Sequence, residues 1–396
     1  MKKHTFSILA LLLAAAFLLA SCGGPKTPAK PKKTHNPDTL VVDGSDPVQY
    51  LAHNFVDGKC EYCDATSTFR HVPLAKSPEI LLTKQPEDKR GTLEEVWYST
   101  RAYGVEARYP DEGEMHILKR AYVYLPAGYD PEDKSKKYNV LYMMHGSGQN
   151  EGYWFKQFSF ENDDSAYVMG YGTDNMIDYM VANGLCEDII FVAPTSTSYY
   201  ADGDTFDPAT KPYSGKIDPA YAGIDKAVPH TESGGNFARE FREDLMPFIA
   251  EHYNTYAASG SAEDLIAARD HHGFVGQSAG GSVSYQIAKE DFAYVSYYGT
   301  LSPVPGGGEF VDVFNEKYKG TYDVNYWYFG FGSTEQSTHD AQLQAYLTIK
   351  AGLGLKSGSD IKNGERCEWI FTNGTAHNYA TWITSVYNLL TVFFKR

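Results

Sequence analysis

Apolar and polar positions along the chain fall into two kinds of period. Ala121-Tyr-Val-Tyr-Leu125 alternates as a strand does. Tyr138-Asn-Val-Leu-Tyr-Met-Met144, Ile189–Ala193, Gly273–Val275, Tyr294–Tyr298, Tyr326–Phe329 and Glu368–Phe371 are nearly continuous apolar runs. Runs of that length and character suit strands buried on both faces. Between them the spacing changes to three and four. Phe237, Phe241, Leu245, Phe248, Ile249 and His252 share one helical face. Ile177, Met180 and Val181 share another, with Asp174 as the expected N-cap, and Ser282–Ala288 reads as a third helix. Strands alternating with helices predict an α/β sandwich around a mostly parallel sheet, beginning near residue 92.

The N-terminal ninety residues follow neither period. Lys2 and Lys3 precede an apolar run from Phe6 to Ala20, which ends in Leu19-Ala20-Ser21-Cys22. A run of about 15 residues is the length of a signal-peptide core and short for a membrane span. Small residues before a cysteine resemble a bacterial lipobox. The expected organisation is a lipoprotein signal peptide over 1–21, a lipid-anchored linker over 22–40 rich in Gly, Pro and Lys, and an irregular extension over 41–91. Residues 92–396 form the main domain. The expected product is an exported bacterial lipoprotein held to a membrane through lipid on Cys22.

Composition changes this picture little. The 396 residues carry a net charge of −15, which disfavours nucleic acid as a partner. Tyrosines number 31, and several (Tyr199, Tyr200, Tyr213) lie in a long Asp/Pro/Gly-rich connection over 195–235, placed to cover a substrate groove. Cys60, Cys63, Cys186 and Cys367 remain after Cys22, and their pairing is open. The lone Cys60-Glu-Tyr-Cys63 lacks a second pair, so no metal is expected.

Gly276-Gln-Ser-Ala-Gly280 carries the chemistry. It stands between an apolar strand and a helical run, the context a nucleophilic serine needs on a sharp turn. Ser278 requires a base. Of the two later histidines, His377 sits in the loop Asn373-Gly-Thr-Ala-His377 just past a strand, whereas His339 begins a helix. The third member, a carboxylate, belongs after the Tyr326–Phe329 strand: Glu335 is the expected acid and Asp340 the alternative. The oxyanion hole is assigned to the backbone N–H groups of Ala279 and of Ser147 in the turn His145-Gly-Ser-Gly148. His145 is read as a support for that turn.

At these residues the sequence resembles carbohydrate esterase family 1, the feruloyl and acetyl xylan esterase group of the α/β-hydrolase superfamily. Val123-Tyr-Leu-Pro-Ala-Gly-Tyr-Asp130, His145-Gly-Ser-Gly-Gln-Asn-Glu-Gly-Tyr-Trp154, Asn175–Asp178, Phe241–Pro247, the Gly-Gln-Ser-Ala-Gly-Gly run and His377…Trp382 follow in the family's order. Gln149 stands where the family has a second Gly, Ala279 where it has Met, and Glu335 at its GxxD acid position. The resemblance implies a three-layer α/β-hydrolase sandwich and cofactor-free hydrolysis of esters on plant cell-wall polysaccharide. It makes Gly148, Trp154, Gln277 and Trp382 candidate substrate contacts. Rival readings are an acetyl xylan or siderophore-type esterase and, from another class, an inactive lipid-anchored carbohydrate-binding protein.

Overall fold

The computed structural model describes most of residues 83–155, 172–198 and 237–395, together with short segments at 55–56, 59–60, 70–72, 80–81, 216–217 and 232–233. The segments expected to be a signal peptide (1–21) and a linker (22–40), with Cys22, as well as Cys63 and most of the 195–235 connection, lie outside the described residues.

Among the described residues the central sheet has eleven strands; three are short (Arg70–Val72, Lys216–Ile217 and Lys356–Ser357) and eight form its main run: β1 (Thr92–Arg101), β2 (His116–Leu125), β3 (Asn139–Met144), β4 (Ile189–Ala193), β5 (His272–Gln277), β6 (Tyr297–Leu301), β7 (Tyr326–Gly332) and β8 (Glu365–Thr372). Their spatial order is β1-β2-β4-β3-β5-β6-β7-β8. β1 and β2 form an antiparallel pair, β2 runs antiparallel to β4, and the remaining pairs from β4 to β8 are parallel.

Parallel neighbours need crossovers, and helices supply them on both faces. Besides two six-residue helices at Tyr103–Arg108 and Ala262–Ala267, they are α1 (Thr173–Ala182), α2 (Phe237–Glu240, a π-helical turn at Phe241–Leu245, then Met246–His252), α3 (Ala279–Asp291), α4 (Phe310–Lys317), α5 (His339–Leu353) and α6 (Tyr379–Leu390). The two-residue side-chain period of a strand sorts β3 cleanly. Val140, Tyr142 and Met144 join the core under α2, α3, α4 and α5, packed with Phe241, Leu245, Ile287, Phe314 and Ile349. Leu141 and Met143 join the opposite core under α1 and α6, with Ile177, Met180, Ile383 and Val386. Three layers follow directly from that alternation.

Some boundaries differ from those the sequence predicts. The strand expected at Tyr294–Tyr298 is Tyr297–Leu301, because Tyr294 N–H closes a turn onto Asp291 O and Ser296 N–H donates to His272 O. Turn residues lengthened the apolar run. The cap of α1 falls on Gly172, not Asp174, which lies in the first turn. Gly172 has φ 81°, and a Cβ there would stand 1.9 Å from Leu81 O. The 41–91 stretch is not wholly irregular: Arg70–Val72 pairs in parallel with Ile370–Thr372 of β8. Cys60 lies in a two-residue strand, Lys59–Cys60. Cys186 and Cys367 are buried free thiols. Among the described residues no helix is long and apolar enough to cross a membrane, and none group as metal ligands.

Candidate active site

All the parallel strands point their C-terminal ends the same way, and the chemistry-bearing loops gather there. β5 ends at Gln277 and α3 begins at Ala279, so the whole reversal falls on Ser278. Its φ of 53° and ψ of −120° are a strained backbone conformation for a non-glycine residue. The turn closes only because its flanks are glycine. A Cβ at Gly276 would lie 2.0 Å from Gly280 O, and one at Gly280 would lie 2.4 Å from His145 O. Small residues at both positions thus let the helix start against the strand and let the His145 turn approach the serine.

Ser278 Oγ and His377 Nε2 are 2.9 Å apart, and His377 Nδ1 is 3.0 Å from Glu335 Oε1. The geometry fits a hydroxyl donating to Nε2 while Nδ1–H donates to the carboxylate. Glu335 is buried, with 5% of its side chain exposed, whereas the imidazole is 48% exposed. The base therefore reaches solvent and substrate while its acceptor does not. Glu335 sits just past β7, its N–H donating to Gly332 O. Asp340 belongs to α5, and its side chain lies outside the described residues.

The His377 loop is tied down on both sides. Thr375 Oγ1 donates to Thr372 O at 3.0 Å. Thr381 Oγ1 bonds both Thr375 Oγ1, at 2.6 Å, and Ala376 O. Asn378 caps α6 by accepting from Thr381 N–H. Trp382, on the first turn of α6, stands edge-on to the imidazole with ring centroids 5.1 Å apart.

The oxyanion turn is positioned from below. Ala279 opens α3, so its N–H is among the first-turn amides without an intrahelical acceptor. Ser147 is exposed in the turn after β3. His145 is buried, its Nδ1–H donates to Gly146 O at 2.8 Å, and its Nε2 lies 2.8 Å from Thr195 Oγ1. Burial lowers its pKa to about 4, so the ring is neutral and structural. Beneath it Lys119 Nζ donates to Thr195 O and to Glu240 Oε2, at 2.7 and 2.9 Å. Glu151 is buried against Arg120 Nε at 2.7 Å, which anchors the far end of the same loop.

Three of the candidate substrate contacts need correction. Trp154 is wholly buried, edge-on to Tyr153, and has no surface to offer. Gln277 is wholly buried too, its Nε2 donating to Gln149 Oε1 at 2.5 Å. Trp382 is 6% exposed and backs the imidazole instead of facing a ligand. The strand period sends Gln277 inward and the first turn of α6 does the same for Trp382, while Trp154 packs inward from the turn after β3. Gly148 lies outside the described residues. Sequence reasoning missed Gln149 and the Thr375–Thr381 clamp. The signal for the first was its departure from the family motif, and for the second the cap sequence Asn378-Tyr-Ala-Thr381.

No protein-family model matches the chain. Over 180 residues, 46% of its length, it is 32% identical to endo-1,4-beta-xylanase Y of Acetivibrio thermocellus, and that match spans 12% of the xylanase. Two solved structures, one of FAE and one of the feruloyl esterase module from Clostridium thermocellum complexed with sinapinate, are each 24% identical. Each covers 82% of this chain and 95% of its own, with a TM-score of 0.60. The chain has the α/β-hydrolase fold. Within that fold Ser278 occupies the strand-to-helix elbow, Glu335 follows β7 and His377 follows β8, the order of nucleophile, acid and base that an α/β hydrolase requires.

Proposed function

We propose that this protein is a serine esterase hydrolysing hydroxycinnamoyl (feruloyl) esters on plant cell-wall polysaccharide such as arabinoxylan. The observation that carries the chemistry is the continuous hydrogen-bonded line from Ser278 through His377 to Glu335. The likeness to the xylanase and to the feruloyl esterase module supports the choice of substrate, and it agrees with the motifs of carbohydrate esterase family 1.

The geometry dictates each residue's task. His377 takes the Ser278 proton as Oγ attacks the ester carbonyl, and Glu335 keeps Nδ1 protonated so that Nε2 is the basic nitrogen. The carbonyl oxygen gains charge beside the Ala279 and Ser147 amides. His377 then protonates the departing sugar alcohol, leaving an acyl-enzyme. Water activated by the same imidazole releases the acid and restores the hydroxyl.

A panel of methyl ferulate, acetylated xylan and short p-nitrophenyl esters, with products identified, tests the assignment. Ferulate release faster than acetate release is expected. Acetate release alone would move the protein to the acetyl xylan esterases. No turnover together with no labelling of Ser278 by a fluorophosphonate would leave only a carbohydrate-binding body. We further propose that lipid on Cys22 tethers the exported enzyme to a membrane; Cys22→Ser should release it from the membrane fraction of the producing bacterium.

A further inference from the structure

Gln149 stands where the resemblance calls for glycine, and its side chain occupies a specific place. Its Oε1 accepts two hydrogen bonds, from Gly146 N–H at 2.9 Å and from Gln277 Nε2 at 2.5 Å. Gln277 neighbours the nucleophile and is fully buried, so one carbonyl oxygen joins the strand end that carries Ser278 to the turn that carries Ser147. Contact there is close: a Cβ on Gly146 would lie 2.7 Å from the Gln277 amide oxygen.

Two successive peptide groups of this turn are each held: the His145–Gly146 peptide by the Gln149 side chain, the Gly146–Ser147 peptide by the His145 ring and the backbone N–H of Gln149. Gly146 N–H is fixed by Gln149 Oε1, and Gly146 C=O accepts from His145 Nδ1 at 2.8 Å and from Gln149 N–H at 3.4 Å. A trans peptide is planar, with its N–H opposite its C=O. Fixing Gly146 C=O therefore fixes the direction of Ser147 N–H. A donor aimed in advance is what stabilises a developing oxyanion, and a donor free to rotate contributes less.

We propose that Gln149 is a positioning residue for the oxyanion hole: its side chain clamps the His145–Gly146 peptide to the buried Gln277 amide beside the nucleophile, and so steadies the Gly146 carbonyl and the Ser147 N–H that follows it. The proposal rests on the esterase reading above. It requires an acceptor at position 149, not glutamine as such, so a carboxylate should serve and an isosteric thioether should not.

The test compares the full chain with Gln149→Met and Gln149→Glu on p-nitrophenyl acetate and methyl ferulate. Gln149→Met should lower kcat by about ten- to a hundred-fold, below the loss from deleting an oxyanion donor outright, with KM within about two-fold. Its affinity for a trifluoromethyl ketone, which forms a tetrahedral oxyanion on the serine, should fall in parallel with kcat. Gln149→Glu should retain kcat to within about three-fold. If Gln149→Met does not fold, Gln149→Ala carries the same expectation. A methionine or alanine variant that keeps wild-type kcat and ketone affinity overturns the proposal. So does a glutamate variant as damaged as methionine. A wild-type chain inert towards every ester refutes the esterase reading itself, a result distinct from either.

Discussion

At the residue scale, the carboxylate is the most informative member of the hydrogen-bonded line Ser278–His377–Glu335. Glu335 stands where the motif that this sequence resembles has aspartate and carries one more methylene, yet its Oε1 meets His377 Nδ1 at 3.0 Å from a buried position. Glu335→Gln should hold the fold while weakening the preference for the reactive tautomer, lowering kcat by about 10²–10⁴-fold. Asp340→Asn should change it less than about three-fold, since Asp340 sits in the α5 helix. Steady-state kinetics on one ester distinguishes the two carboxylates; the opposite ranking would transfer the role to Asp340. Ser278 and His377 were legible in the sequence because each occupies a local context, strand–turn–helix for one and a glycine-bearing loop after a strand for the other. Trp154 and Gln277 were misread because a motif names neighbours in sequence, whereas the direction of a side chain depends on strand phase and on what packs behind it.

At the element scale, β2 and α2 are joined through a buried ion pair. Lys119 and Glu240 are both buried in contact, and Tyr98 OH donates to Glu240 Oε1 at 2.5 Å. Burial raises the Glu240 pKa, which Lys119 opposes. Lys119→Met strands the carboxylate and should cost about 3–5 kcal/mol in urea unfolding. The double change Lys119→Met with Glu240→Gln should restore most of that, because the amide oxygen still accepts from Tyr98. A double variant no more stable than the single one would show that the lysine contributes by some route other than pairing. The apolar runs gave β3 to β8 and the faces of α1 and α2 with small boundary shifts. β1 was not read as a strand, since Thr92–Arg101 mixes charged and apolar residues and acquires its state from a ten-residue pairing with β2. Long-range pairing of that sort leaves little trace in local period.

At the scale of the whole molecule, acid stability should report the buried histidines. Burial lowers the His272 pKa from 6.5 to about 4, and its Nδ1 donates to Tyr294 O at 3.0 Å. The unfolded chain takes up this proton more readily than the folded one. The contribution is therefore complete above pH 6.5 and is lost as pH falls toward 4, by about 3 kcal/mol in all. His272→Gln keeps a donor for Tyr294 O without a titrating ring. Its unfolding free energy between pH 6.5 and 4 should depend on pH less steeply than wild type, by up to about 1.4 kcal/mol per pH unit. Parallel curves would mean that the ring is not held neutral. Asp291, raised to about 7 chiefly by burial, works in the opposite sense in both proteins and cancels from the comparison.

The pairing of Arg70–Val72 with Ile370–Thr372 bears on how the protein can be handled. Those three residues precede the body suggested by sequence, yet they cover the open flank of the strand that leads into the base. A trimmed fragment starting at residue 92 would bare a row of unsatisfied amides and carbonyls five residues from His377, an invitation to strand-on-strand aggregation. Recombinant work on this protein is better begun upstream of residue 70.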